Sequence, residues 1–188
     1  MMRNKVLVLS CCLAVLVCFG AVTWANAEAE PKVGQTVASV KFSGTITPDG
    51  SKYLGLAKQG PFSWKDIKAP YLVIEQFSTN CPHCMAQAPV MDKLYEMVNN
   101  DAALKGKVKF LGAGQGDNEV KLKMWKAFHK VPFPLAPDPN NSFGKALNFT
   151  PYPVTILLNK ATGKILVVQI GTFDNADDMF KKIKAAVK

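Results

Sequence analysis

Cys81 and Cys84 enclose Pro82-His83, and Glu75 lies six residues upstream of Cys81 in the apolar run Tyr71-Leu72-Val73-Ile74-Glu75-Gln76-Phe77. Two thiols in this spacing fall one turn apart at a strand-to-helix junction, the geometry of a disulfide that opens and closes. At the mouth of a helix the free backbone N–H groups and the dipole favour an anion, which makes Cys81 the candidate attacking thiolate. The dipole contributes only about 0.3 to 1 kcal/mol, so a second stabiliser is needed. His83, inside the loop, can donate a hydrogen bond or place a positive charge beside the sulfur. A stabilised thiolate favours the reduced pair, so the motif leans towards an oxidant. Cys84, further into the helix, is the candidate resolving thiol that releases a mixed disulfide. Pro82 suits the first helical turn, where its missing N–H costs nothing. Glu75, on a buried strand beneath the pair, is suited to pass protons to or from Cys84, because burial raises a carboxyl's hold on its proton.

Cys11, Cys12 and Cys18 fall in a segment built like a secretory leader. Arg3 and Lys5 give it a positive start, Val6 to Val22 is almost wholly apolar, and Ala25-Asn26-Ala27 is a small-x-small cleavage pattern. Residues 1–27 are expected to be a cleavable signal peptide. An N-terminal membrane anchor is the alternative, although the apolar run is short of the roughly 20 residues a spanning helix uses. Both place the protein in the periplasm or another extracytoplasmic space. Residues 28–188 are enough for one domain with a sizeable core. Their only cysteines are Cys81 and Cys84, in a compartment where disulfides persist. So small a loop adds little stability, and the pair reads as chemistry and not as a staple.

Without Arg3 and Lys5, 21 lysines face 14 acidic residues, a net charge of +7. Lysine lacks the guanidinium fork that reads phosphates and bases in two contacts, and these lysines are spread along the chain. No nucleic-acid partner is expected, and the surface reads as a solvated one.

The elements that must position the cysteines can be read from period and punctuation. Residues 28–69 form an irregular N-terminal extension of short extended pieces, with a strand expected over Tyr53 to Ala57 and a helical turn over Phe62 to Ile67. Tyr71 to Phe77 is a central strand buried on both faces. A helix follows from Pro82 to about Asn99, with Pro89 expected to kink it. Val108 to Ala113 is the next strand. Asn118 is the expected N-cap of a helix whose core face would be Val120, Met124 and Phe128. Val131 to Pro139 carries four prolines and is expected to be loop or edge. Ser142 to Asn148 reads as a short helix, Val154 to Leu158 and Ile165 to Ile170 as an antiparallel hairpin, and Phe180, Ile183 and Val187 mark a last helix.

An α/β chain in the order βαβα then ββα, with C-x-x-C at the start of its first core helix, resembles the thioredoxin-like superfamily over roughly Tyr71 to Lys188. Glu75-Gln76-Phe77-Ser78 ahead of Cys-Pro-His-Cys is similar to the disulfide oxidase DsbA. Pro89, the Phe62 to Ile67 region, Pro134-Leu135-Ala136-Pro137-Asp138 and Pro153-Val154-Thr155 are similar to the TlpA and ResA branch, and no stretch is long enough for the helical insertion of DsbA. The resemblance implies a mixed central sheet flanked by helices. It also implies that Pro153 is a cis-proline facing the cysteines, with Pro151 the competing position, and that Tyr152 and Pro153 meet an extended substrate segment. A tyrosine before this proline departs from the small or β-branched residue usual there.

The expected activity is thiol-disulfide exchange with protein thiols or disulfides of the cell envelope, by a monomer without cofactor or metal. The resemblance adds a membrane redox partner, and leaves the direction open between the donating DsbA and the reducing TlpA relatives. A peroxiredoxin-like peroxidase would want a threonine where Ser78 stands and a nearby arginine. A copper-binding or metallochaperone module, with Cys81, Cys84 and His83 or His129 as ligands, is the non-enzymatic alternative. Met85 after Cys84 excludes c-type haem attachment.

Overall fold

A computed structural model describes residues 28–188, so the leader expected over residues 1–27, with Cys11, Cys12 and Cys18, lies outside the described residues. The N-terminal extension contributes a two-stranded antiparallel ladder of β1 (Lys41–Phe42) and β2 (Phe62–Ser63), with α1 (Pro48–Leu54) between them. The core follows as β3 (Tyr71–Phe77), α2 (Pro82–Asn100), β4 (Val108–Gln115), α3 (Glu119–His129), β5 (Leu135–Asp138), α4 (Ser142–Leu147), β6 (Val154–Asn159), β7 (Lys164–Ile170) and α5 (Ala176–Ala186). Five strands make one mixed sheet in the order β5-β4-β3-β6-β7. β3, β4 and β5 are parallel, and β6 and β7 are antiparallel to their neighbours. This is the expected order of βαβα then ββα. Among the described residues no helix is long and apolar enough to cross a membrane.

Every residue of β3 is buried, and the two-residue period of a strand sorts them between two cores. Tyr71, Val73 and Phe77 pack with Met91, Leu94 and Val98 of α2, Leu122 and Trp125 of α3, and Met179 and Ile183 of α5. Leu72 and Ile74 pack on the other face with Phe42, Leu54, Phe62, Trp64 and Ile67 of the extension and Phe143 and Leu147 of α4. Glu75 has the parity of the first face, which is the face that holds Cys81 and Cys84.

Three expectations are corrected. Tyr53 lies in a helix, not a strand, because the Thr47 hydroxyl caps Gly50 N–H at 3.2 Å, Pro48 starts the first turn, and Gly55 at φ 71° ends it. The expected turn at Phe62 to Ile67 is the short strand β2 followed by a 3-10 turn over Trp64–Asp66. The proline-rich 131–139 segment is loop and edge, as expected: Leu135–Asp138 form β5 at the margin of the sheet, where the missing N–H of Pro137 is tolerated. On α3 the expected core face is inverted: Val120, Met124 and Phe128 are exposed, while Leu122 and Trp125 are buried. α2 continues through Pro89, as a single helix, to Asn100.

Candidate active site

Cys81 is the N-cap of α2, and its Sγ accepts the backbone N–H of Cys84 at 3.2 Å. The sulfur therefore occupies the anion position at the helix mouth, where an amide would otherwise go unpaired. The loop that delivers Cys81 is fixed from both sides. Its N–H donates to the Ser78 carbonyl at 3.2 Å, and the fully buried Asp117 accepts Thr79 N–H and Oγ1–H at 2.8 and 2.7 Å. Pro82 is the first helical residue, as its missing N–H allows. Cys81 and Cys84 are free thiols, both buried. His83, between them, is exposed. Among the described residues the hydrogen bond to Cys81 Sγ comes from the Cys84 amide and not from the imidazole.

Beneath Cys84 lies a cavity with room for about 10 Å³, the scale of one water. Glu75, Cys84 and Asp92 reach it, and Phe77, Ala88, Trp125, Val131, Phe133 and Leu135 complete its wall. Glu75 stands on β3 between Gly112 of β4 and Thr155 of β6. A Cβ on Gly112 would come within 2.5 Å of Leu135 and 3.0 Å of Phe77, so the backbone there must be bare for the wall to close. Burial, with the Asp92 charge second, pushes the Glu75 carboxyl up to about 8. Burial also pushes the Cys84 thiol up, helped by its hydrogen bond to Cys81 and the charges of Cys81 and Glu75, while the Ser78 backbone pulls it down. A buried thiol that holds its proton beside a carboxyl of similar reluctance is an arrangement for proton transfer.

The Tyr152–Pro153 peptide bond is cis, at the position expected in preference to Pro151. The loop leading to it is tied to β3 by Gln76, whose Nε2 donates to the carbonyls of Phe149, Thr150 and Pro151 at 3.3, 3.1 and 3.0 Å. Tyr152 is exposed and Pro153 buried. Adjacent residues of one strand thus serve opposite sides of the sheet: Glu75 under the cysteines, Gln76 under the proline loop. Trp64 and Trp125 are buried packing residues, and His129 lies 4.2 Å from the Trp125 ring near the end of α3. Among the described residues no three His, Cys, Asp or Glu side chains converge to hold a metal ion.

Residues 32–187 match the Redoxin family. The chain belongs to the Redoxin family. Solved structures agree on the fold of this redoxin. It is similar to a putative thiol:disulfide interchange protein DsbE from Chlorobium tepidum, at 15% identity and TM-score 0.65, covering 85% of this chain and 100% of that one. It is also similar to StoA from Bacillus subtilis, at 19% identity and TM-score 0.55, covering 70% and 94%. A third likeness is to a putative protein disulfide isomerase from Bacteroides thetaiotaomicron, at 13% identity and TM-score 0.65, covering 84% and 91%. The redoxin fold is therefore the thioredoxin-like one expected from the order of elements. No curated protein sequence matches the chain.

Two residues at this redoxin's site escape sequence reasoning, Asp92 and Lys126. Asp92 lies eight residues after Cys84, at the margin of the buried stripe of α2 next to Ala88 and Met91, and a carboxylate at such a margin is the one available sign.

Proposed function

We propose that this redoxin is an exported thiol-disulfide oxidoreductase, with residues 1–27 as a cleavable signal peptide and residues 28–188 as one thioredoxin-like domain. Its position in the superfamily is the TlpA and ResA branch, carrying a DsbA-type Cys-Pro-His-Cys. The observation that carries the reading is Cys81 Sγ held as the N-cap of α2 with Cys84 one turn behind it, over a buried carboxyl. The Cys81 thiolate attacks a client disulfide, or the oxidised pair receives a client thiolate, and a mixed disulfide forms on Cys81. Cys84 then attacks Cys81 Sγ and releases the client. Glu75 takes up or returns the Cys84 proton. His83, exposed beside the sulfur, adds positive charge when protonated. Tyr152 and Pro153 form the opposite lip and receive an extended client segment. The clients are proteins of the cell envelope, the recycling partner is a membrane redox protein, and the protein works as a monomer.

Two measurements test this. Cys84→Ser should trap a mixed disulfide with a model client, and Cys81→Ser should trap none; equal trapping by both variants would overturn the assigned roles. Equilibration with glutathione fixes the direction. A potential near roughly −120 mV makes the protein an oxidant and one near roughly −270 mV a reductant. Failure to exchange with glutathione at any ratio would sink the oxidoreductase reading.

A further inference from the structure

Glu75 is buried, so a proton it takes from Cys84 needs a way out. Of the nine residues around the cavity, Glu75, Cys84 and Asp92 alone carry titratable groups; the other six are apolar. Asp92 Oδ1 is buried and has no hydrogen-bond partner among the described residues. An unpaired carboxylate oxygen in a cavity the size of one water is the setting in which a bridging water is expected. Asp92 as a residue is only half-buried, so it also reaches towards solvent. Lys126 of α3 stands behind it, with Nζ donating to the Phe133 carbonyl, and its charge acts on Asp92 against that of Glu96 one turn along α2. The charged groups facing Asp92 are thus Glu75 from β3, Glu96 from α2 and Lys126 from α3.

We propose that Asp92, held in check by Lys126, is the positioning residue through which Glu75 exchanges its proton with solvent across this one-water gap. The inference rests on Glu75 serving Cys84 in disulfide exchange. In the resolving step the Cys84 S–H proton passes to the Glu75 carboxylate, and Cys84 Sγ attacks Cys81 Sγ. The S–S bond between Cys81 and the client breaks, and the client sulfur leaves with the bonding pair as a thiolate. The client disulfide is then reduced, the Cys81–Cys84 pair is oxidised by the same two electrons, and the leaving thiolate is protonated from solvent. Glu75 passes its proton through the water to Asp92, which releases it outside. In the oxidising direction the same groups carry a proton inwards. Lys126 keeps Asp92 from holding the proton: burial pushes its carboxyl up to about 6, and the nearby ammonium opposes that rise.

The test uses the full mature chain, with glutathione disulfide as the probe. The rate of the resolving step is followed between pH 5 and 9, and the carboxyl titrations of Glu75 and Asp92 are followed by carbon-13 NMR. Asp92→Asn is expected to slow the resolving step about tenfold or more and to move the Glu75 titration down, because a neighbouring negative charge is lost. Asp92→Glu should restore most of the rate. In a Glu75→Gln background Asp92→Asn should add nothing. Lys126→Gln, the second variant in case Asp92→Asn does not fold, should move the Asp92 titration up and slow resolution most between pH 6 and 7. An Asp92→Asn protein with an unmoved Glu75 titration and an unchanged rate profile would overturn the proposal, and so would an undiminished effect of Asp92→Asn in Glu75→Gln. If the wild-type chain does not react with glutathione at all, the oxidoreductase reading fails by itself. The NMR titrations, which need no turnover, then decide whether Asp92 and Glu75 are coupled.

Discussion

Glu75 is the residue whose chemistry and stability are most tightly joined. It lies on the central strand with a carboxyl that burial and Asp92 hold up to about 8. The folded protein therefore keeps a proton that the unfolded chain gives up near the ordinary glutamate range. Stability rises with pH only where the unfolded state binds more protons; here the folded state binds more, so this group makes stability fall as pH climbs from about 5 through about 8. Asp92, held up to about 6, acts in the same direction over a lower and narrower range. Glu75→Gln should remove up to about 1.4 kcal/mol of stability loss per pH unit over that window. Denaturant unfolding of the reduced protein at pH 5, 7 and 9 measures it, and parallel slopes for variant and wild type would mean that Glu75 is not buried as described. The placement of Cys81, Cys84, Pro82 and Glu75 about one strand-to-helix junction was approachable from spacing alone, since a turn of helix and a strand's parity are local. Asp92 was not, because what makes it matter is a cavity walled by β3, α3 and the segment around β5, far from it in the chain.

At the scale of elements, α3 shows where periodicity runs out. Val120, Met124 and Phe128 recur every four residues and read as a core stripe, yet they face solvent at 66%, 69% and 82% exposure. Leu122 and Trp125, three residues apart, are the buried pair, with Trp125 closing the cavity under Cys84. Both stripes satisfy a helical period, and only the approach of α3 to the sheet selects between them. Leu122→Ala should cost about 2 to 5 kcal/mol. Val120→Ser, Met124→Ser and Phe128→Ser should each stay within about 0.5 kcal/mol of wild type. Thermal or denaturant unfolding of the four variants measures this, and a large loss in the serine variants would restore the stripe to the core. Tyr53 is a related case. Its β-favouring aromatic character was outweighed by Thr47, Pro48 and Gly55, which cap a helix at both ends.

The described residues set a five-stranded sheet between two cores, and the extension supplies much of the second. Phe42, Leu54, Phe62, Trp64 and Ile67 cover the face of Leu72, Ile74, Ile156 and Leu158 that lies opposite the cysteines. Residues 28–188 should accordingly unfold in one cooperative transition. A chain beginning at residue 70 should lose that transition or aggregate, because it exposes a contiguous apolar face. Circular dichroism melts of the two proteins compare them directly; a truncated chain that melts as cooperatively as the long one would make the extension dispensable. The sequence by itself determined the cysteine pair, the strand-to-helix junction that presents it, the buried acid and the order of elements, because each rests on contacts between near neighbours or on a regular period. Only the tertiary structure decided which stripe of α3 is inside, that a proline-rich segment becomes the edge strand β5, that Gln76 fixes the proline loop, and that Asp92 meets Glu75. Those outcomes depend on which surfaces distant segments bury together, and burial is settled by the packed chain as a whole.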